Sequence, residues 1–297
     1  MLQIAGLAGV FVAVFGGYML AGGHMGVILH ALGGEMIVIG GAGVMTMLIA
    51  NDTKCIGKML KGFGAVFAGP RWKRADYADL LCLTFLLMRT HQKEGPAKLE
   101  RHIEKPQESP IFSRYPKVLR DAPLRELVCD TLRCITLNNK DPHRVGEMME
   151  GTIEKRFNEN LKPAKALQNM ADALPALGIV AAVLGVIKAM GAIGESPAVL
   201  GGMIGSALVG TFLGVFLSYG LVGPVAARMK AIHEEERRIL DVTRAVITSY
   251  LDNLAPQLCV EVGRQVVPTH LQLSYDELET QLRDAGRAKA EGGEGGE

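Results

Sequence analysis

In a sequence this apolar, chemistry must lie with the few polar groups it retains. No Asp, Glu, Lys or Arg occurs from Met1 to Gly34, from Met36 to Asn51 or from Ser196 to Ala227. Ionisable groups inside membrane-length apolar runs are functional candidates by default, and here they are Glu35, which opens one run, and Lys188, which closes another. Both read as anchors near a membrane surface, where either side chain snorkels to water. No acid falls at the middle of a run, so an ion crossing the membrane with this chain's help needs a carboxylate from another subunit. Thr211, in VGTFLGVF at the middle of the last run, is the one hydroxyl of interest among large apolar residues. It either serves such an ion or bonds back to a carbonyl one turn earlier.

Two prolines stand at the ends of apolar runs, Pro175 in LPALGIVAAVLGVIKAMG and Pro224 in YGLVGPVAARMK. Each removes a backbone donor and crowds the carbonyl four residues earlier. The result is a hinge or a packing kink, whose freed carbonyl must find another partner. No enzyme motif accompanies them. The glycine string IGGAGVM lacks the Lys of a phosphate loop and reads as a surface for close helix packing. The five cysteines, at 55, 82, 129, 134 and 259, have no metal-ligand spacing, so no metal or cofactor site is expected. A net charge of +1 argues against a nucleic-acid partner.

The elements that must position these groups follow from the charge pattern. A spanning helix needs about 20 apolar residues, which predicts spans over 1–21, 34–51, 172–190 and 199–224. A signal peptide would need Lys or Arg before its apolar core, and MLQIAGLAGVFVAVFGGYMLA has none, so the first helix is expected to stay. Lys54, Lys58, Lys61, Arg71, Lys73 and Arg74 follow the second span against the single acid Asp52. The excess of positive charge places 52–74 in the cytoplasm, and both termini with it. In that reducing compartment the cysteines are expected as thiols.

The predicted fold class is therefore an all-α integral membrane protein. Four transmembrane helices form two hairpins, 1–51 and 172–224, with a helical cytoplasmic domain, 52–171, inserted between them. Within it, ADYADLLCLTFLLMRTHQKEG reads as a helix stopping at Gly95-Pro96, AKLERHIEKP as a short helix ending before Pro106, and DAPLRELVCDTLRCITLNN as a third. DPHRVGEMMEGTIEKRF leads towards the third span, continuous with it apart from Pro163. Residues 225–285 form a helical extension in which Ile232, Ile239 and Val246, with Thr243 and Tyr250, make a stripe for packing on the inserted domain. RAKAEGGEGGE, within 286–297, reads as a disordered tail.

LPALGIVAAVLGVIKAMG, then LGGMIGSALVGTFLGVFLSYGLVGPVA, preceded by KLERHIEKPQESPIF, resembles the MotA family of bacterial flagellar stators, within the wider MotA, TolQ and ExbB superfamily of proton channels. GGEMIVIGGAGVM and YLDNLAPQLCVEVGRQVV extend the match over nearly the whole chain. The resemblance implies a motor subunit of the inner membrane, not an enzyme, that with MotB conducts ions and generates torque for flagellar rotation and motility. It implies a pentamer around a MotB dimer, whose Asp binds the ion and whose outer domain anchors to peptidoglycan, and contact with the rotor protein FliG. It makes Pro175 and Pro224 coupling residues. It assigns the rotor-facing charges to Glu100 and, since Gln92 replaces the usual Arg, to Lys93 with Arg89 in support. Sodium-driven relatives pair a threonine of span three with that of span four. Ala182 stands there instead, so the resemblance implies proton drive. An ExbB or TolQ type of energiser would have three spans, and a secondary transporter its own polar substrate site.

Overall fold

The computed structural model describes residues 2–136 and 141–291, which form helices and the turns between them. Among the described residues four helices are long and apolar enough to cross a membrane: α1 (Leu2–Leu20), α2 (Met25–Ala50), α8 (Pro142–Gly191) and α9 (Pro197–Leu251). Between α2 and α8 lie α3 (Thr53–Ala68), α4 (Arg74–Glu94), α5 (Pro96–Glu104), α6 (Pro116–Arg120) and α7 (Ala122–Thr136). After α9 come α10 (Pro256–Val266) and α11 (Tyr275–Glu291). The chain divides into two compact units, one of residues 1–69 with 160–233 and one of 70–159 with 234–297.

In the first unit α2 begins at Met25, not at 34 as the charge pattern predicts. The turn that precedes it uses Gly22 at φ +84°, open to glycine, and the apolar run MGVILHALGG then winds as helix without interruption. Glu35 therefore lies inside a span rather than at its mouth. α3 is an element that charge counting passes over. Asp52 caps it by accepting from the Cys55 N–H, Gly69 at φ +83° ends it, and Cys55, Met59 and Val66 form its buried face. Lys54, Lys58 and Lys61 occupy its exposed face.

α8 runs through both Pro163 and Pro175 without a break, where continuity apart from Pro163 is expected. A proline deletes only one bond of the ladder, and the neighbours Leu161, Ala164 and Leu167 are buried against other elements, which hold the helix together there. α9 contains a π-helical stretch, Phe216–Val222, immediately before Pro224. The Gly223 N–H reaches back five residues to the Ser218 carbonyl. Widening the helix there makes room for a proline ring that would otherwise crowd the carbonyl of Gly220. Similar wide turns occur in α1 at Val12–Gly16 and in α2 at Met36–Gly41.

The second unit is built around α4. Leu80, Leu81, Leu83, Leu86 and Leu87 are all inaccessible to solvent, so this helix is buried on every side. α5, α6, α10 and α11 pack on it, and Ile239, Val242, Val246 and Ile247 of α9 complete the same core. The Thr243 hydroxyl, fully buried in the predicted stripe, donates to the Ile239 carbonyl, and the Tyr250 hydroxyl pairs with His91 Nδ1 at 2.6 Å. Asp76 caps the start of α4 by accepting from the Lys73 N–H and pairs with Lys117, whose ammonium also lies over Trp72. Burial pushes the thiols of Cys82, Cys129 and Cys259 up, to about 11, 12 and 11, so these cysteines are neutral packing groups. α11 continues to Glu291, into the stretch 286–297 that composition assigns to a tail, because Arg, Ala, Lys and Glu are strong helix formers. Residues 292–297 of that tail lie outside the described residues.

Candidate functional site: a close helix crossing and an exposed charged corner

Glycine dictates how α8 and α9 meet. A Cβ at Gly214 would lie 2.6 Å from the Leu174 carbonyl oxygen and 2.9 Å from Gly178 Cα. One at Gly178 would lie 2.9 Å from the Gly210 carbonyl oxygen, and one at Gly185 would lie 2.6 Å from Ala207 Cβ. The two helices thus cross backbone to backbone and antiparallel, 174 to 185 against 214 to 207. Small residues at every contact permit this approach, as in other membrane helix pairs. Ile39, Leu174, Ala181 and Leu213 close the packing around it.

Three predicted residues gather at this crossing. Pro175 follows Leu174 at one side, Ala182 follows the buried Ala181, and Thr211 follows Gly210. All three are half-buried. Pro175 donates no N–H, so the carbonyl of Ala171, itself buried, lacks its α-helical partner within a turn of the crossing. Pro224 stands apart, beyond the π turn. With Arg228 it lines an apolar cavity of about 320 Å³ whose other walls include Leu7 and Val10 of α1 and Phe67 of α3.

Glu35 is the residue that sequence reasoning misplaces. Its Oε2 is buried without a hydrogen-bond partner, and a Cβ at Gly210 would sit 2.7 Å from it. The acid of α2 is thus inserted against the α8–α9 crossing at Gly210. The signal available in the sequence was the unbroken apolar run on both sides of Glu35.

In the second unit, α4 ends at Gly95, at φ +82°, and α5 restarts at once with Pro96 in its first turn. That corner presents Lys93, in the last turn of α4, and Glu100, on α5, both exposed. Arg89 does not join them at the surface. Its guanidinium packs over Gly286 of α11, where an added Cβ would be 2.6 Å from Nη1. Sequence reasoning missed the pair Arg133–Glu104 beside the corner, at 2.6 Å. The hydrogen bond from Arg133 holds the Glu104 carboxyl below its usual range. It joins α7 to α5, a contact between segments that no sequence spacing announces.

On the side of α8 away from the crossing, Ile179, Val183, Leu184 and Ile187 are each more than half exposed. Bare aliphatic surface of this kind suits lipid or another apolar helix, not water.

Residues 4–95 match the family described as Motility protein A N-terminal, and residues 119–241 match the MotA/TolQ/ExbB proton channel family. The Motility protein A of Salmonella typhimurium is 36% identical over 283 residues, covering 95% of this chain and 95% of that protein. The chemotaxis protein LafT of Vibrio parahaemolyticus is 33% identical over 284 residues, covering 96% of this chain and 99% of that one. Among solved structures, the flagellar MotAB stator complex from Bacillus subtilis superposes with a TM-score of 0.70 at 21% identity, over 91% of this chain and 98% of that one. The MotAB of C. jejuni gives a TM-score of 0.70 at 17% identity, over 90% of this chain and 95% of that one.

Proposed function

We propose a division of labour for this chain, which belongs to the MotA/TolQ/ExbB proton channel family and is a flagellar motor stator subunit. It supplies the hinged membrane shell and the cytoplasmic arm, while a MotB-type partner supplies the ion-binding Asp and the peptidoglycan anchor. The complex resides in the inner membrane with both termini of this chain in the cytoplasm, and five copies surround a MotB dimer. The exposed aliphatic face of α8 supports contact with partner helices, because its side chains otherwise have only lipid to meet.

One observation carries the reading: Pro224 follows a π turn in a helix that continues to Leu251. An α-helix that is widened and then deprived of a backbone donor is locally compliant at that point and stiff on either side. Protonation of the partner's Asp beside the α8–α9 crossing would bend α9 there, and the charged corner at Lys93 and Glu100, with Arg89 behind it, would press on the rotor protein FliG. Pro175 provides the matching joint in α8. Ala182 stands where sodium-driven relatives are expected to carry a second threonine, so this chain does not offer the paired hydroxyl ligands that a hard cation such as sodium needs, and the driving ion is the proton.

The test replaces Pro175 and Pro224 by Ala, one at a time. Each variant is expected to insert and to purify with the partner while tethered-cell torque falls. Normal torque in both would show that the prolines are packing kinks only. Swimming speed should follow the proton gradient and be indifferent to sodium. A speed that tracks sodium would overturn the ion assignment.

A further inference from the structure

We propose that Glu35 is a proton-binding site carried by this chain itself, protonated while α2 packs on α9 and ionising only when that packing opens. The proposal rests on the stator reading for its use but on local geometry for its chemistry.

Glu35 is about 15 Å along α2 from Met25, and Gly210 about 20 Å along α9 from Pro197, at 1.5 Å per residue. Their contact is therefore remote from both helix starts. Glu35 Oε2 is buried within the chain and meets no donor. An atom enclosed by its own chain stays enclosed whatever subunits assemble around it. No charged group faces it from the elements packed nearby. α9 has no Asp, Glu, Lys or Arg before Arg228, α8 has none from Ala173 to Ile187, and α1 has none at all. On α2 itself the nearest titratable group is His30, which is exposed. Five residues away, it points roughly 140° around the helix.

Glu35 as a whole is half-buried, so the loss falls on this one oxygen, which an ionised carboxylate would leave without water or a compensating donor. The protonated acid avoids this, because the proton sits on Oε1 and Oε2 is left as an uncharged acceptor. Gly210 is what admits the carboxyl group, since a Cβ there would lie 2.7 Å from Oε2 and 3.2 Å from Ala181 Cβ. One glycine thus couples the protonation state of α2 to the seating of α2 on the α8–α9 crossing. Loss of the proton favours separation, and separation favours loss of the proton.

The experiment is infrared spectroscopy of the purified complex with its partner, taking the difference between wild type and Glu35→Gln at neutral pH. The result expected is a carbonyl stretch of a protonated carboxyl that disappears in the variant. Carboxylate stretches in its place would overturn the proposal. Gly210→Ala tests the coupling without removing the acid. It is expected to displace the carboxyl and shift the same signal towards the ionised form at a given pH, and an unshifted titration would sink the coupling. Should Glu35→Gln fail to assemble, the titration of Gly210→Ala against wild type still decides. In cells, Glu35→Gln should flatten the dependence of motor speed on external pH, and an unchanged pH profile counts against the proposal. Failure of the stator reading looks different, because a strain lacking this chain would then still rotate its flagella.

Discussion

Substituting Gly214 by Ala tests the crossing most directly. The added Cβ would stand 2.6 Å from the Leu174 carbonyl oxygen and 2.9 Å from Gly178 Cα. Both neighbours are backbone, so no side chain can swing aside. Ordinary contact begins near 3.4 Å, and the repulsive wall is steep enough that the helices must part by roughly 0.8 Å. Overpacking of this kind costs about 1–3 kcal/mol, while Ala in place of a helical Gly returns about 1 kcal/mol of intrinsic helix preference. A control on the same helix removes that second effect. Gly202 has nothing within 4 Å of its added Cβ, so Gly202→Ala receives the helical preference without the clash. The difference between the two variants in unfolding free energy of the purified complex, followed by thermal or detergent titration, is then about 1–3 kcal/mol against Gly214→Ala. Motor torque should fall with it. Equal stability of the two variants would refute the close crossing, and with it the location assigned to Pro175, Ala182 and Thr211.

Reversing the exposed corner charges, Lys93→Glu or Glu100→Lys, should leave expression and stability within about 0.5 kcal/mol, as surface changes do, while swimming speed falls. Normal swimming by both variants would remove the corner from the torque path. In α10 the Arg264 guanidinium donates to Glu261 and holds its carboxyl below the usual 4.5. A carboxylate with a lowered folded pKa adds stability that is present above its unfolded value and is lost as pH falls through the folded one. Glu261→Gln should therefore weaken the second unit near neutrality and flatten its loss of stability below about pH 4.5. Acid unfolding curves of equal steepness for wild type and variant would contradict this.

The apolar runs, the helical inserted domain and the two prolines were legible in the sequence because each is written locally, as missing charge, as a 3.6-residue period or as a residue with no N–H. What the sequence hid depends on a second segment. Glu35 looked like a boundary because a lone acid among apolar residues usually marks one. It lies inside α2 because the apolar run winds from Met25, and Gly210, far away in sequence, leaves the space that its carboxyl fills. α3 went unread because its lysines suggested a flank, although Asp52 and Gly69 bracket a helix with ordinary capping signals. The resemblance set Arg89 in support of Lys93, and what no spacing could show is that its guanidinium lies against Gly286 on α11. Continuity through Pro163 could not be read either, since it is tertiary packing that holds a helix across a missing bond.

The wide turn ahead of Pro224 also stores chain length. A π turn holds a residue more than the α turn it replaces. Winding that surplus residue into the α register rotates everything beyond it by about 100° and advances it by about 1.5 Å, while sliding it along α9 turns only the residues it passes. The helix can therefore deliver a quantised twist, one residue at a time, while most of its hydrogen bonds stay closed. Wide turns in α1 and α2 give two neighbouring spans the same stock of slack.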